Sequence, residues 1–451
     1  MPPTRPADSP ARHTGPSSDQ EQEPRRYLMN KGKRVIIIGA GPTGLVAALG
    51  LARLGAQVTI IDREDDILRW PRAMVYLPST LKVLDEIGLL EKAKSVAAWG
   101  YEYNLRFPLT GNIGRLNYHI VEDLTPYAYN LHFGQDVLAE MILEEFLKLP
   151  GAEMRWKTSF DTIEQAADCV QVSVHTPNGP RTLEADWVIG ADGARSSVRK
   201  DLGVEFEGFT WDDTFMATNV LYDFDKYGYA PSTMVADPDH WCVIAKIDDQ
   251  QQWRIAYGED SNLSEAARLA RIKERFKHFL PDPDAPIEVL AANSYRVHQR
   301  SAATYRVGRV FLAGDAAHAT NPIGGMGFTS GVQDASTLIK CLGGVITGDL
   351  AEDALDWYAY ERRRCFLQIA NPTAIEMKRR TQERDTAKRM EDEQNMFALM
   401  ADRDATRQAM MSIFNLSGRA YREDWQTTLL VDDQSGKAPT VGAHGGIKIK
   451  A

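Results

Sequence analysis

Val35–Ile38 is an unbroken apolar run rich in β-branched residues, the pattern of a strand covered on both faces. After a glycine-rich break the period changes: residues from about Thr43 to Leu54 are rich in Ala and Leu, and predict a buried helix. Val58–Ile61 is a second buried-strand run. Strand, helix and strand in this order predict a parallel βαβ unit with a right-handed crossover. Residues 79–96 and 136–148 carry helical patterns, and Trp187–Ile189 and Val310–Ala313 repeat the buried-strand pattern. Between those last two, over about 205–297, the pattern is different. Thr214–Tyr222, Trp241–Ile247 and Trp253–Tyr257 are short segments with interleaved aromatics, which predict an antiparallel sheet. From about Leu355 the chain turns helical, and Glu376–Met411 reads as one long charged helix carrying Met390, Met396, Leu399 and Met400.

Together these elements predict an α/β fold. A discontinuous Rossmann-like domain takes residues 31–75, 126–204 and 298–375, and an inserted, mainly antiparallel β domain takes 76–125 and 206–297. A C-terminal helical region follows over 376–433. Residues 1–30 are rich in Pro, Ser, Arg, Asp and Gln, with little to bury, and predict a disordered tail; 434–451 predict a second loose end. Arg25-Arg26 is followed by no apolar stretch before the first strand, so it does not read as a secretion signal.

A chain of 451 residues is long enough for two or three domains around large cores. The formal net charge of −10 argues against a nucleic-acid partner, which needs a clustered basic surface. Cys169, Cys242, Cys341 and Cys365 form no metal-ligand spacing, so no metal is expected, and they read as reduced thiols of a cytoplasmic protein. No apolar run reaches the roughly 18–20 residues of a membrane span.

The first chemical motif is Gly39-Ala40-Gly41-Pro42-Thr43-Gly44, between a buried strand and a helix. There Gly39 permits the tight turn, Gly41 lets backbone approach a pyrophosphate, and Gly44 lets the helix pack on the strand. The helix start supplies free N–H groups and the positive end of a dipole. Asp62 closes the second strand, where a carboxylate can bind ribose hydroxyls, and Arg63 follows it. Two further segments repeat a strand followed by a Gly/Asp turn. One is Asp186–Arg195, with Asp192-Gly193 and a helix start at Ser196; the other is Gly308–His318, with Gly314-Asp315 and an expected helix of small residues. Each alone could be a capped turn, but the three in this order point to a dinucleotide cofactor.

With these three markers the chain resembles, over roughly residues 31–375, the group A flavoprotein monooxygenases of the para-hydroxybenzoate hydroxylase-like fold. Pro71-Arg72-Ala73 and Gly134-Gln135 match two further family features, and Tyr295–His318 is most similar to the phenol and 3-(3-hydroxyphenyl)propionate hydroxylase branch. The resemblance implies FAD, with NADPH or NADH as transient donor, and O2 activated as a flavin hydroperoxide that hydroxylates a small phenol-like ring. It implies that Arg72 lies along the flavin, that Gln135 reaches the cofactor, and that Asp315 binds the ribityl chain. Asp192 and Gly193 would lie near the pyrophosphate and the donor's path. The loop Pro322-Ile323-Gly324-Gly325-Met326-Gly327, with Phe328 after it, would run beside the ring. A helix starting near Gly327 would favour negative charge on the reduced flavin.

The loop departs from the family's GGQGxN: Met326 stands for Gln and Thr329 for Asn, and Asn321-Pro322 replaces Pro-Pro. His132, Tyr76, Tyr222, Tyr257 and His298 are candidate pocket residues beside Pro322, each with packing as the competing role, and His318 suits a structural hydrogen bond. The competing functions are another reaction on the same fold (epoxidation, Baeyer–Villiger-type oxygenation or flavin reduction) and a flavin-binding regulator without turnover. A homodimer built on the charged C-terminal helix is compatible with the pattern.

Overall fold

The computed structural model describes residues 33–69 and 72–426. The expected tails, Pro71 and the end of the expected helical region (427–433) lie outside the described residues. The first β-branched run forms the strand Arg34–Ile38 within a six-stranded sheet. Across that sheet the order is Arg306–Val307, Val310–Leu312, Trp187–Gly190, Arg34–Ile38, Gln57–Ile61 and Ala152–Arg155. Neighbours are parallel except at the Arg306–Val307 edge. Val35 to Ile38 are at most 4% exposed, as an all-apolar central strand requires. Helix Pro42–Arg53 packs between Gln135–Leu147 and Met326–Thr347.

An eight-stranded sheet lies in the same compact unit, which starts at Lys33. Its order is His318–Ala319, Glu288–Ala302, Phe206–Leu221, Gln252–Glu259, Cys242–Lys246, Ser232–Val235, Glu102–Phe107 and Asn112–Asn117. It is antiparallel except where Ser232–Val235 meets Glu102–Phe107. The strand Glu288–Ala302 runs through the expected boundary at 297/298 without a break. A three-stranded sheet joins Val75–Tyr76, Asn130–His132 and Ala98–Gly100.

Strand alternation gives the eight-stranded sheet two different faces. Trp253, Ile255 and Tyr257 share one face with Met216 and Val220, under Ile272, Phe276 and Phe279 of the helix Ile272–Phe279. Arg254, Ala256 and Gly258 point the other way, beside Asn219, Ala217 and Phe215. Phe215, Trp241, Val297 and Met234 on that side share an apolar cluster with Ile323 of the glycine-rich loop.

Three expected elements differ. Residues 79–96 form two helices, Pro78–Glu86 and Leu90–Lys94, because Gly88 turns the chain with φ 62° and its N–H closes on the Asp85 carbonyl. No helix follows Gly314-Asp315 directly. A 3-10 turn, Gly314–Ala316, leads into the strand His318–Ala319, which pairs with Arg300 and Ser301, and the helix starts only at Met326. The expected long helix over 376–411 is three helices, Asn371–Thr381, Thr386–Ala401 and Arg403–Met411. Asp385 and Asp402 each turn their carboxylate onto the next helix's free N–H groups, and so cut the pattern. The middle helix packs on the chain's own sheet, with Phe397 against Phe107 at 6.0 Å and Glu393 accepting from Thr110 and Asn112. Among the described residues no helix is long and apolar enough to cross a membrane.

Candidate functional site

Three glycine segments far apart in sequence touch one another. Gly39 has φ +112°, and a Cβ there would lie 2.3 Å from the carbonyl oxygen of Ala191, just before Asp192-Gly193. A Cβ on Gly314 would lie 2.6 Å from Oγ1 of Thr43, in the helix Pro42–Arg53. A Cβ on Gly44 would lie 2.2 Å from the Gly39 carbonyl. These are backbone approaches that any side chain would block. Gly41, in contrast, has nothing within 4 Å of where its Cβ would be, so its outward face is open.

A cleft opens beside Gly41. It is lined by Ala40, Gly41, Pro42, Asp62, Glu64, Arg72 and Gln135, with Ile67, Ala139 and Trp156 as apolar walls. The Asp62 carboxylate caps its entrance turn, accepting from Ala40 N at 2.7 Å and Glu64 N at 3.0 Å. Arg63 instead points outward, paired with Glu64. The open face of Gly41 at a helix N-terminus, with a carboxylate at the end of the second strand, fits a dinucleotide's pyrophosphate and ribose.

Asp315 is accessible to solvent, yet surrounded by enough protein that burial raises its carboxyl pKa, against the lowering effect of His318 and Arg72. The Asp192 carboxylate accepts from Ser196 Oγ at 2.5 Å, Ser197 N at 2.7 Å and Val198 N at 3.2 Å, so it caps the helix Ser197–Asp201. Burial raises its pKa against those bonds. The next residues are tied to the third segment through Arg199, which donates to Ala316 O and Ala194 O. Gly193 has nothing within 4 Å of its would-be Cβ.

The loop Pro322–Gly327 closes a turn from Gly325 N to Pro322 O and starts the helix Met326–Thr347 with Gly325 as its N-cap. Gly327 lies against Thr320, and Phe328 sets its edge on Tyr76 at 5.3 Å. Met326 turns into an apolar cluster with Phe366, Ala370 and Leu416, where the family's Gln would bring an amide. The Thr329 hydroxyl is buried without a partner.

The candidate pocket residues separate. Tyr257 faces the helix Ile272–Phe279, and Tyr222 lies in that same cluster with its hydroxyl on Asp282 O at 3.0 Å; neither shares the sheet face of Phe215 and Arg254. His132 is buried between the Lys246 carbonyl at 3.0 Å and Ser232 Oγ at 3.3 Å, and burial pushes its pKa down to about 4. Tyr76 is stacked on Phe133 at 4.1 Å with Phe328 across its edge, and Pro322 opens the loop turn.

Three important residues escape sequence reasoning. Asp334 and Arg362 form a buried pair at 2.8 Å that also holds His318. An acid alone in a run of small residues was the available signal for Asp334, whereas Arg362 was hidden in a Glu-Arg-Arg-Arg run that reads as surface. Arg254 joins the sheet face to the cleft: it donates to Asn219 Oδ1 and to the Arg72 carbonyl, and burial lowers its pKa to about 10.

Residues 33–373 match the family described as FAD binding domain. The chain belongs to this family, as an FAD-dependent aromatic monooxygenase. Over 391 residues it is 38% identical to a para-nitrophenol 4-monooxygenase of Pseudomonas sp. (strain WBC-3), covering 86% of this chain and 97% of the relative. It is 38% identical over 347 residues to a 6-hydroxy-3-succinoylpyridine 3-monooxygenase of Pseudomonas putida, covering 77% and 88%. The crystal structure of a p-nitrophenol 4-monooxygenase from Pseudomonas putida DLL-E4 superposes with a TM-score of 0.83 at 38% identity, covering 86% of this chain and all of that one. The FAD-binding family thus spans all three glycine segments and the loop to Phe328.

Proposed function

We propose that this monooxygenase inserts one oxygen atom of O2 into a phenol whose ring carries a substituent para to the hydroxyl, with NADPH or NADH as donor. The two relatives' names each describe a ring of that substitution. The observation that supports the reading is the nesting of Gly39 on Ala191 and of Gly314 on Thr43, which packs the three glycine segments against one another beside the cleft at Gly41.

Bound FAD would take a hydride from the donor and supply the oxygen-transferring chemistry. The backbone at Gly41 and the N-terminus of Pro42–Arg53 hold the pyrophosphate, Asp62 the adenosine ribose, and Asp315 the ribityl hydroxyls. Arg72 and Gln135 flank the cofactor from the cleft wall. The positive dipole end of Met326–Thr347, at Gly325, would favour the negative charge that reduction brings to a ring bound beside the loop. The substrate rests on the sheet face of Phe215 and Trp241, which excludes water, and the Arg254 cation favours a phenolate over a phenol.

The donor reaches this centre past Gly193. Arg296, His298 and Arg300 alternate onto one face of the strand Glu288–Ala302, and Arg195 adds a fourth basic group near His298. Among the described residues none of the three arginines has a carboxylate partner, although the chain has ten more acidic than basic residues (62 against 52). That strip suits the donor's phosphates. Residues 31–75, 126–204 and 298–375 serve the cofactor, residues 76–125 and 206–297 serve the substrate, and the enzyme works in the cytoplasm.

The test is a panel of para-substituted phenols, p-nitrophenol included, under 18O2 with NADPH and with NADH. One 18O atom in the product, with stimulated donor oxidation, is expected. Donor oxidation that yields only peroxide with every phenol would sink the reading.

A further inference from the structure

Gln299 is 2% exposed, and its amide is fully committed. Oε1 accepts from Trp211 Nε1 at 3.2 Å, Asn321 N at 3.1 Å and Asn321 Nδ2 at 3.3 Å. Nε2 donates to Thr320 Oγ1 at 2.7 Å and Asn371 Oδ1 at 2.8 Å. One side chain therefore ties the eight-stranded sheet, the start of the glycine-rich loop and the helix Asn371–Thr381 together.

Its place along the strand gives those bonds a direction. Tyr295, Val297 and Gln299 are successive residues on one strand face, and Phe215 pairs opposite Tyr295. The wall assigned to the substrate thus continues, along a single strand, into the hub. On the far side Asn321 passes the constraint on: its Nδ2 also donates to Ala374 O at 2.9 Å, and its Oδ1 accepts from Ile323 N at 3.1 Å. Three residues after Asn321 come the glycines of the loop, and Thr320 touches Gly327 at the start of Met326–Thr347. Asn321 stands where the family carries proline, which has no N–H to give to Gln299.

We infer that Gln299 is a positioning residue that seats the loop Pro322–Gly327 against the substrate-bearing sheet, so that an occupied ring site accelerates cofactor reduction. The inference rests on the monooxygenase reading above. An unfilled amide acceptor at this depth would leave Asn321 N and Trp211 Nε1 unpaired, so the loop would shift to find partners. Glutamate keeps the Oε1 acceptor and puts a second acceptor oxygen where Nε2 donated, and the Thr320 hydroxyl and Asn371 amide can turn to donate to it.

The experiment compares the FAD-loaded wild type with Gln299→Leu, Gln299→Glu and Asn371→Ala in anaerobic stopped-flow reduction, with and without p-nitrophenol. The readout is the ratio of substrate-bound to substrate-free reduction rate, set beside the phenol's Kd and the visible flavin spectrum. Q299L is expected to lower that ratio by about tenfold or more while shifting the phenol's Kd by less than about threefold, with an altered flavin spectrum. Q299E is expected to recover most of the ratio, and N371A, which removes one partner, to fall between. An unchanged ratio in Q299L and N371A overturns the inference, as does a Q299E as impaired as Q299L. If Q299L does not fold, N371A and Q299E decide. A wild type that no phenol accelerates overturns the monooxygenase reading instead, before any variant is compared.

Discussion

Nε2 of His318 lies 2.7 Å from Oδ2 of Asp334, with both side chains fully buried. The same oxygen accepts from Gly314 N at 2.9 Å, and Oδ1 accepts from Arg362 Nε at 2.8 Å. One buried carboxylate therefore fixes the third glycine turn, and with it Asp315. Burial opposes its ionisation, but His318 and Arg362 outweigh burial and hold its pKa below the usual value. Asp334→Asn leaves Arg362 charged and uncompensated, and is expected to cost about 3–5 kcal/mol in urea unfolding. A loss under about 1 kcal/mol would mean that the pair is dispensable.

The neighbouring Glu361 gives a pH signature. Burial alone would raise its pKa, but Arg364 and Arg419 bring it down to about 2 from 4.5. A carboxyl with a depressed folded pKa contributes stability above its unfolded pKa and loses it as pH falls. Wild type is therefore expected to lose stability between pH 4.5 and about 2, and Glu361→Gln to lose less over the same window. Equal slopes in thermal melts across that range would refute the assignment.

The first motif contains two glycines that should fail differently. Gly39→Ala puts a Cβ 2.3 Å from the Ala191 carbonyl at φ +112°, and is expected to unfold the protein or lower its Tm sharply. A Cβ at Gly41 meets no protein atom within 4 Å, so in Gly41→Val the fold is expected to survive while FAD binding fails. Circular dichroism and flavin content read the two outcomes separately, and a G41V protein that keeps its full FAD content would move the pyrophosphate elsewhere.

Asp315→Ala is expected to weaken FAD binding about ten- to a hundredfold, the value of a charge-assisted hydrogen bond of roughly 1.5–3 kcal/mol. Fluorescence titration of the apoprotein measures it, and an unchanged Kd would show that Asp315 does not touch the cofactor.

Arg296→Ala with Arg300→Ala is expected to raise the donor's KM about tenfold and to flatten its dependence on ionic strength, with the Kd for FAD unchanged. Tyr257→Phe serves as a contrast: its hydroxyl is buried without a partner on the far sheet face, so turnover should not change. Loss of activity in Y257F would return that tyrosine to the active site.

The segments legible in the sequence are those whose chemistry is local. Val35–Ile38 must be a buried strand because all four side chains are apolar, and the turn at Gly39 must carry glycine because backbone from another strand passes within reach. A glycine motif between strand and helix is set by a few adjacent residues, so its cofactor class can be read one-dimensionally. Tertiary structure alone decided which face of Gln252–Glu259 is closed off: alternation gives Arg254 and Tyr257 equal standing, and only the helix Ile272–Phe279, laid over the Tyr257 side, separates them. It also decided the partners of Asp334 and Gln299, which lie 28 residues away at Arg362 and up to 88 away at Trp211. Local sequence carries no record of such pairings, because burial removes a charge or an amide from water wherever the chain brings it, and the bond that compensates is chosen by proximity in space.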